Sequence, residues 1–122
     1  MYAVSTEITF KAGHYLQFFG QETEQNHEHD WRVRITAESE KLNQDGLVMD
    51  FRELREELRK VTQPLEKPEA INELSEFAQK NPSTECLARY FYDNMANKLP
   101  SGVRLYEVEV WETPDCRAIY RP

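Results

Sequence analysis

The three histidines of the chain are spaced so that they could bind one metal ion. His27 and His29 stand two residues apart in the segment NHEHDW, at the start of an alternating apolar and polar run, so both face one side of a strand. His14 ends an earlier alternating run, on its apolar side. If the two strands pair antiparallel, the three imidazoles converge at one end of the sheet. Three neutral imidazoles are typical of a catalytic zinc site, and the alternative is three polar residues that close the strand ends.

Four strands are predicted from the alternation of apolar and polar residues. The first covers residues 4–14, and the second runs from His27 to about residue 38. The third covers residues 103–112 and the fourth residues 117–121, with a turn between them. The apolar face of the third strand is predicted to consist of Tyr106, Val108 and Val110.

Between the two pairs of strands, the apolar period changes to that of a helix. One helix is predicted to begin after Asp50, which can cap it, and to end before Pro64. A short helix is expected at residues 70–77, and a second long helix, capped by Ser83 or Thr84, at residues up to Leu99. The order ββααββ predicts a single α+β domain over residues 1–122, with one four-stranded antiparallel sheet and both long helices on one face.

The composition excludes several classes of protein. The formal net charge is −7 without a basic stripe, which disfavours binding to nucleic acid or to an anionic membrane. No apolar run approaches the roughly 20 residues of a membrane-spanning helix. The N-terminal segment lacks the pattern of a secretory signal, so we expect a cytoplasmic protein. Cys86 and Cys116 do not form a C-x-x-C pair and are expected to be free thiols.

Five segments in register resemble the family of 6-pyruvoyl-tetrahydropterin and 6-carboxytetrahydropterin synthases. They are FKAGH, the H-x-H that leads a strand, GLVMDFRELR, NPSTECLARYFYDNM and VEVWETPDCRAIY. The resemblance implies the T-fold, in which three subunits join their sheets into a β-barrel and two trimers stack into a homohexamer. It implies a small-molecule pterin substrate and a Zn²⁺ ion held by His14, His27 and His29.

The resemblance also assigns residues to the substrate site. Glu112 corresponds to the glutamate that holds the pterin ring, and Thr84 and Glu85 of the NPSTE segment are expected to contribute to the same site. Glu112 has independent support, because it ends the apolar face of the third strand and a carboxylate there can accept two parallel N–H bonds from a 2-aminopyrimidinone edge. The alternative is an exposed glutamate at a strand end.

The chain departs from the family at three catalytic positions. The usual cysteine, four residues before the first ligand of the H-x-H pair, is Thr23. The usual Asp-His pair is replaced by Glu66 and Lys67, and the middle glycine of the H-G-H motif is Glu28. The catalytic residues of this chain therefore either differ from those of the family or no longer support catalysis.

Two hypotheses follow from these departures. In the first, the protein is a zinc-dependent lyase that acts on the side chain of a dihydroneopterin or its triphosphate. Glu24 replaces the cysteine as base, as in a branch of the family best known from malaria parasites, and Glu66 is the next candidate. In the second, it binds zinc and a pterin or purine without turnover. A triphosphate would require basic residues near the motifs, and the candidates are Lys11, Arg32, Arg34 and Arg117.

Overall fold

The computed structural model describes all residues from Met1 to Pro122. Four strands form one antiparallel sheet in the order β1 (Tyr2–His14), β2 (His27–Ser39), β3 (Arg104–Thr113) and β4 (Cys116–Tyr120). Two helices, α1 (Phe51–Glu66) and α2 (Thr84–Met95), follow β2 and pack on one face of the sheet. The predicted α+β class and the order ββααββ are confirmed. Neither helix combines the length and the apolar character needed to cross a bilayer.

The register between β1 and β2 determines where the histidines lie. The two strands pair over their whole length, with His14 opposite His27 and Ala12 opposite His29. Residues that lie opposite each other in an antiparallel pair project to the same face, and so do residues two apart on one strand. The three histidines therefore share one face and one end of the sheet.

The helices cover the same face of the sheet as the histidines. The buried residues of α1 recur every three or four positions, as Leu54, Leu58, Val61 and Leu65, and α2 buries Leu87, Phe91 and Met95 in the same way. Asp50 accepts the Arg52 N–H and caps α1, and Ser83 accepts the Cys86 N–H and caps α2. Both expected caps are present.

Three predictions for the helical region were wrong. Helix α1 continues through Pro64 to Glu66, because Pro64 lies in its last turn and the fully buried Leu65 holds that turn in place. Residues 70–77 form two 3₁₀ turns, Ile71–Glu73 and Ser75–Phe77, in place of one short helix. Helix α2 ends at Met95, four residues earlier than expected.

The prediction that Tyr106 faces inward was also wrong. Leu105 pairs with Ala37 and Glu107 with Thr36, so Tyr106 is the extra residue of a β-bulge. The bulge changes the side of the strand on which each residue lies. Leu105 is therefore buried and Tyr106 is 37% exposed, whereas Val108 and Val110 point inward as expected.

Candidate metal centre

The three histidine rings meet at the end of the sheet. The ring centroids of His14 and His27 lie 4.6 Å apart, those of His27 and His29 4.7 Å, and those of His14 and His29 5.2 Å. Glu112, at the end of β3, also reaches this point. One ligand atom from each of these four residues lies within 4.8 Å of the other three.

Backbone carbonyls fix the orientation of two of the rings. His14 Nδ1 lies 2.8 Å from the carbonyl oxygen of Pro82, and His27 Nδ1 lies 3.0 Å from that of Gln25. A carbonyl oxygen can only accept, so each Nδ1 must carry the proton and donate it. The Nε2 atoms of His14 and His27 are then left with a free lone pair, as metal coordination requires.

The nitrogen atoms that face the centre have no hydrogen-bond partner. Nε2 of His14 and Nε2 of His29 are both buried and unpaired. Glu112 Oε1 lies 2.9 Å from the first and 3.4 Å from the second, but neither nitrogen makes a hydrogen bond. Buried unpaired nitrogens are unfavourable, and a shared divalent cation would satisfy all of them at once. The imidazoles of His14, His27 and His29 could therefore hold a metal ion.

Burial favours the neutral form of the third imidazole, His29. Burial lowers the pKa of His29, and the neighbouring His14 and His27 also lower this pKa. The carboxylates of Glu112 and Glu24 raise the pKa but do not outweigh the burial. A lowered pKa favours the uncharged ring at neutral pH, which is the form that binds a metal ion.

A cleft lies beside the histidines. Its volume is about 370 Å³, and its lining includes all three residues predicted to bind the substrate, which are Thr84, Glu85 and Glu112. Cys116 lines the same cleft and is exposed, whereas Cys86 is half-buried, and both thiols are free. Glu112 borders both the cleft and the histidine cluster, so it connects the two.

The two candidate bases lie in different surroundings. Glu24 is half-buried and close enough to the centre for its charge to act on His29. Its Oε1 accepts the Leu16 N–H at 3.0 Å, and its own N–H donates to the Leu16 carbonyl at 3.0 Å. Glu66 is exposed on the last turn of α1 and does not belong to the cluster. Of the two, Glu24 is therefore the one whose charge reaches the histidine cluster.

The basic candidates for a triphosphate project from the other face of the sheet. The guanidinium groups of Arg32, Arg34 and Arg117 lie over the ring of Trp111, which alternates with the inward Val110. All four candidates are paired with carboxylates, in the pairs Lys11–Asp30, Arg32–Glu7, Arg34–Glu7, Arg34–Glu109 and Arg117–Glu109. Of the four, Arg117 is the one that also lines the cleft.

Sequence reasoning missed the residues that support the centre. The carbonyl of Pro82 orients His14, and the carbonyl of Glu69 packs directly against Gly13. A carbonyl group is present in every residue, so no residue type marks these contacts in the sequence. Asn72 and Asn81 also bind the backbone just after His14. Their amide side chains suggest hydrogen bonding, but the sequence does not reveal the partners.

Comparisons with known proteins agree with this arrangement. The sequence model of a family described as 6-pyruvoyl tetrahydropterin synthase matches residues 3–122. The human 6-pyruvoyl tetrahydrobiopterin synthase is 31% identical over 131 residues, which cover 97% of this chain and 90% of the human protein. The dihydroneopterin monophosphate aldolase of Pyrococcus furiosus is 28% identical over 104 residues, covering 85% of this chain and 83% of that protein. The structure of the Caenorhabditis elegans 6-pyruvoyl tetrahydropterin synthase matches with a TM-score of 0.82 at 21% identity, covering 100% of this chain and 97% of that one. The chain therefore belongs to the 6-pyruvoyl tetrahydropterin synthase family.

Proposed function

We propose that the protein is a zinc-dependent lyase that acts on the side chain of a dihydroneopterin-type substrate. The observation that carries the proposal is the group of three imidazoles, two of them with buried unpaired nitrogens, beside a cleft and a half-buried glutamate. Family membership supports a pterin substrate. The aldolase named among the relatives supports cleavage of the side chain, in place of the elimination expected of a synthase with the usual cysteine.

The pterin ring would lie in the cleft beside Glu112. A carboxylate can accept two parallel N–H bonds from the 2-aminopyrimidinone edge of a pterin, and both bonds gain strength from the negative charge. Thr84 and Glu85 line the same cleft and would contact the ring. Because Glu112 also borders the histidines, a ring held there would direct its side chain towards His14, His27 and His29.

Glu24 would act as the general base. When a carboxylate near the substrate takes the proton of a side-chain hydroxyl, the adjacent carbon–carbon bond can break, because its electron pair moves into the conjugated C=N group of the dihydropterin ring. The hydroxyl becomes a carbonyl in the aldehyde that leaves, and the carbon that stays on the pterin takes up a proton. The bound zinc would hold the side-chain oxygens and stabilise the negative charge that develops there. Glu24 Oε1 is held by the Leu16 N–H, and its other carboxylate oxygen makes no hydrogen bond and is free to accept the proton.

Turnover of defined pterins tests the proposal. The zinc-loaded protein is incubated with dihydroneopterin, its monophosphate and its triphosphate, and the products are identified by mass. We expect cleavage of at least one substrate, and a loss of about 10²–10⁴-fold in turnover for Glu24→Gln with zinc still bound. Thr23→Ala is the matched control and should retain most of the activity. Absence of turnover with every dihydropterin would favour the second hypothesis, a zinc- and pterin-binding protein without catalysis.

The assembly is proposed to be a homohexamer, formed by two stacked trimers. The sheet leaves β1 and β4 as edge strands without partners, and exposed edges of this kind are prone to pair with another chain. Pairing of β1 with β4 of the next copy would close the barrel that the family resemblance implies. Light scattering at micromolar concentration should give the mass of six chains, and a monomer would contradict the proposal.

A further inference from the structure

Residues 15–17, which follow His14, make hydrogen bonds on both sides of the chain although they belong to no strand. In residues 15–17, every backbone N–H and every carbonyl makes a hydrogen bond. Extended residues project their backbone groups alternately to opposite sides. Tyr15 and Gln17 therefore bond to one partner element, and Leu16 bonds to another. The segment behaves as a short strand without a neighbouring strand.

Two asparagine side chains replace the missing strand on one side. Asn72 Oδ1 accepts the Tyr15 N–H at 3.1 Å, and its Nδ2 donates to the Tyr15 carbonyl at 2.8 Å. Asn81 makes the same two bonds to Gln17, at 2.8 and 3.0 Å. A primary amide carries a donor and an acceptor as a peptide group does, so each asparagine pairs with one residue as an opposite strand would.

Glu24 occupies the other side of the segment. The Leu16 N–H holds one oxygen of its carboxylate, and the Leu16 carbonyl accepts its backbone N–H. Leu16 lies directly between Tyr15 and Gln17, so a shift of either neighbour moves the N–H that orients the carboxylate. The carboxylate in turn lies close enough to act on His29.

We infer that Asn72 and Asn81 are positioning residues that set the orientation of the Glu24 carboxylate through the backbone of residues 15–17. The inference rests on the proposed function in that it takes Glu24 as the base. The connection that carries the two asparagines also supplies the Pro82 carbonyl, which orients His14. One connection between α1 and α2 thus fixes both a metal ligand and the base.

A double-mutant cycle separates positioning from general structural support. Asn72→Ala in the zinc-loaded protein is expected to lower kcat for dihydroneopterin at least about tenfold, because small misplacements of a catalytic group have large effects on rate. KM should change less than about twofold, since the cleft at Glu112 is untouched. In a Glu24→Gln background, Asn72→Ala should have little further effect, because the group that it positions is already lost.

The comparison variants make the result specific. Asn81→Ala should also lower kcat, but by less than Asn72→Ala does, because the hydrogen bonds of Asn81 are exposed and those of Asn72 are partly buried. Asn94→Ala is the matched control, since Asn94 donates to a carbonyl on α2 and is exposed. Zinc content and circular dichroism check that each variant is loaded and folded. A loss for Asn72→Ala that is equally large with and without Glu24 would overturn the inference.

A second measurement does not depend on activity. Amide hydrogen exchange, followed by nuclear magnetic resonance on the zinc-loaded protein, should be at least about tenfold faster at Leu16 in Asn72→Ala than in the wild type. Unchanged exchange at Leu16 in both asparagine variants would overturn the inference. If the wild type turns over no pterin, the proposed function fails, and the exchange of the Leu16 amide alone then decides whether the asparagines hold the segment.

Discussion

Gly13→Ala tests whether the end of β1 is packed as tightly as the metal centre requires. A methyl group at this position would lie 2.6 Å from the carbonyl oxygen of Glu69 and 2.9 Å from the side chain of Asn26. Real contacts of this kind are essentially never closer than 3.0 Å, so the backbone at Glu69 or the end of β1 must move. Overpacking of this type costs typically about 1–3 kcal/mol of folding free energy.

The strain should also weaken the proposed zinc binding, because Gly13 directly precedes His14, which is one of the proposed ligands. If the zinc-bound protein carries about 1.4 kcal/mol more of this strain than the zinc-free folded protein, which can relax, the zinc affinity falls about tenfold. Urea unfolding gives the stability of each variant, and competition with a chelator gives its zinc affinity. Both should fall for Gly13→Ala.

Gly102→Ala provides the matched control for this prediction. Gly102 has a φ of +82° and open space around its Cα, so alanine there meets backbone strain without a clash. The strain costs roughly 1–2 kcal/mol of stability. Gly102 lies on the turn before β3, and the start of β3 pairs with the end of β2, whereas His27 and His29 lie at the start of β2. Because Gly102 is thus near the opposite end of the sheet from the histidines, zinc affinity should not change. If Gly13→Ala had the same stability and zinc affinity as the wild type, the reasoning about the end of β1 would be refuted.

Three further predictions concern the cleft and the histidines. Glu112→Gln should weaken binding of a pterin by roughly 2–4 kcal/mol in calorimetry, because it removes a charge-assisted pair, and unchanged affinity would count against Glu112 as the ring anchor. Burial lowers the pKa of His29 from 6.5, so below that pH the unfolded chain binds more protons than the folded protein. With zinc removed by a chelator, the urea midpoint should therefore fall as the pH drops below 6.5, and it should fall less in His29→Asn. A urea midpoint that does not change with pH would contradict the lowered pKa. A pterin in the cleft should slow alkylation of Cys116 but not that of Cys86, as followed by mass spectrometry, and equal labelling of Cys116 with and without pterin would place the ligand elsewhere.

The periodic part of the site was accessible from the sequence. Residue alternation placed His14, His27 and His29 on one face, and the antiparallel register then brought them together. Residue alternation also predicts Glu112 at the end of an apolar face, but it does not reveal that this carboxylate lies beside the histidines. Periodicity works here because burial on one face of a strand requires it.

The parts that the sequence did not reveal depend on contacts between distant segments. Tyr106 was assigned to the wrong face because a β-bulge interrupts the alternation without changing the composition. Pro64 is tolerated near the end of α1 because Leu65 is buried against the core. The contacts of Asn72 and Asn81 with residues 15–17 join positions 57 and 64 residues apart, and no local pattern encodes them.

Anomalous diffraction at the zinc absorption edge, from crystals grown with zinc, would show whether the three histidines bind the ion. We expect one peak per chain at the end of the sheet, about 2.0–2.1 Å from the Nε2 atoms of His14, His27 and His29. The Nδ1 atoms of His14 and His27 should remain bonded to the carbonyls of Pro82 and Gln25. Absence of a peak at the three histidines, or coordination through Nδ1, would show that the proposed zinc site is wrong.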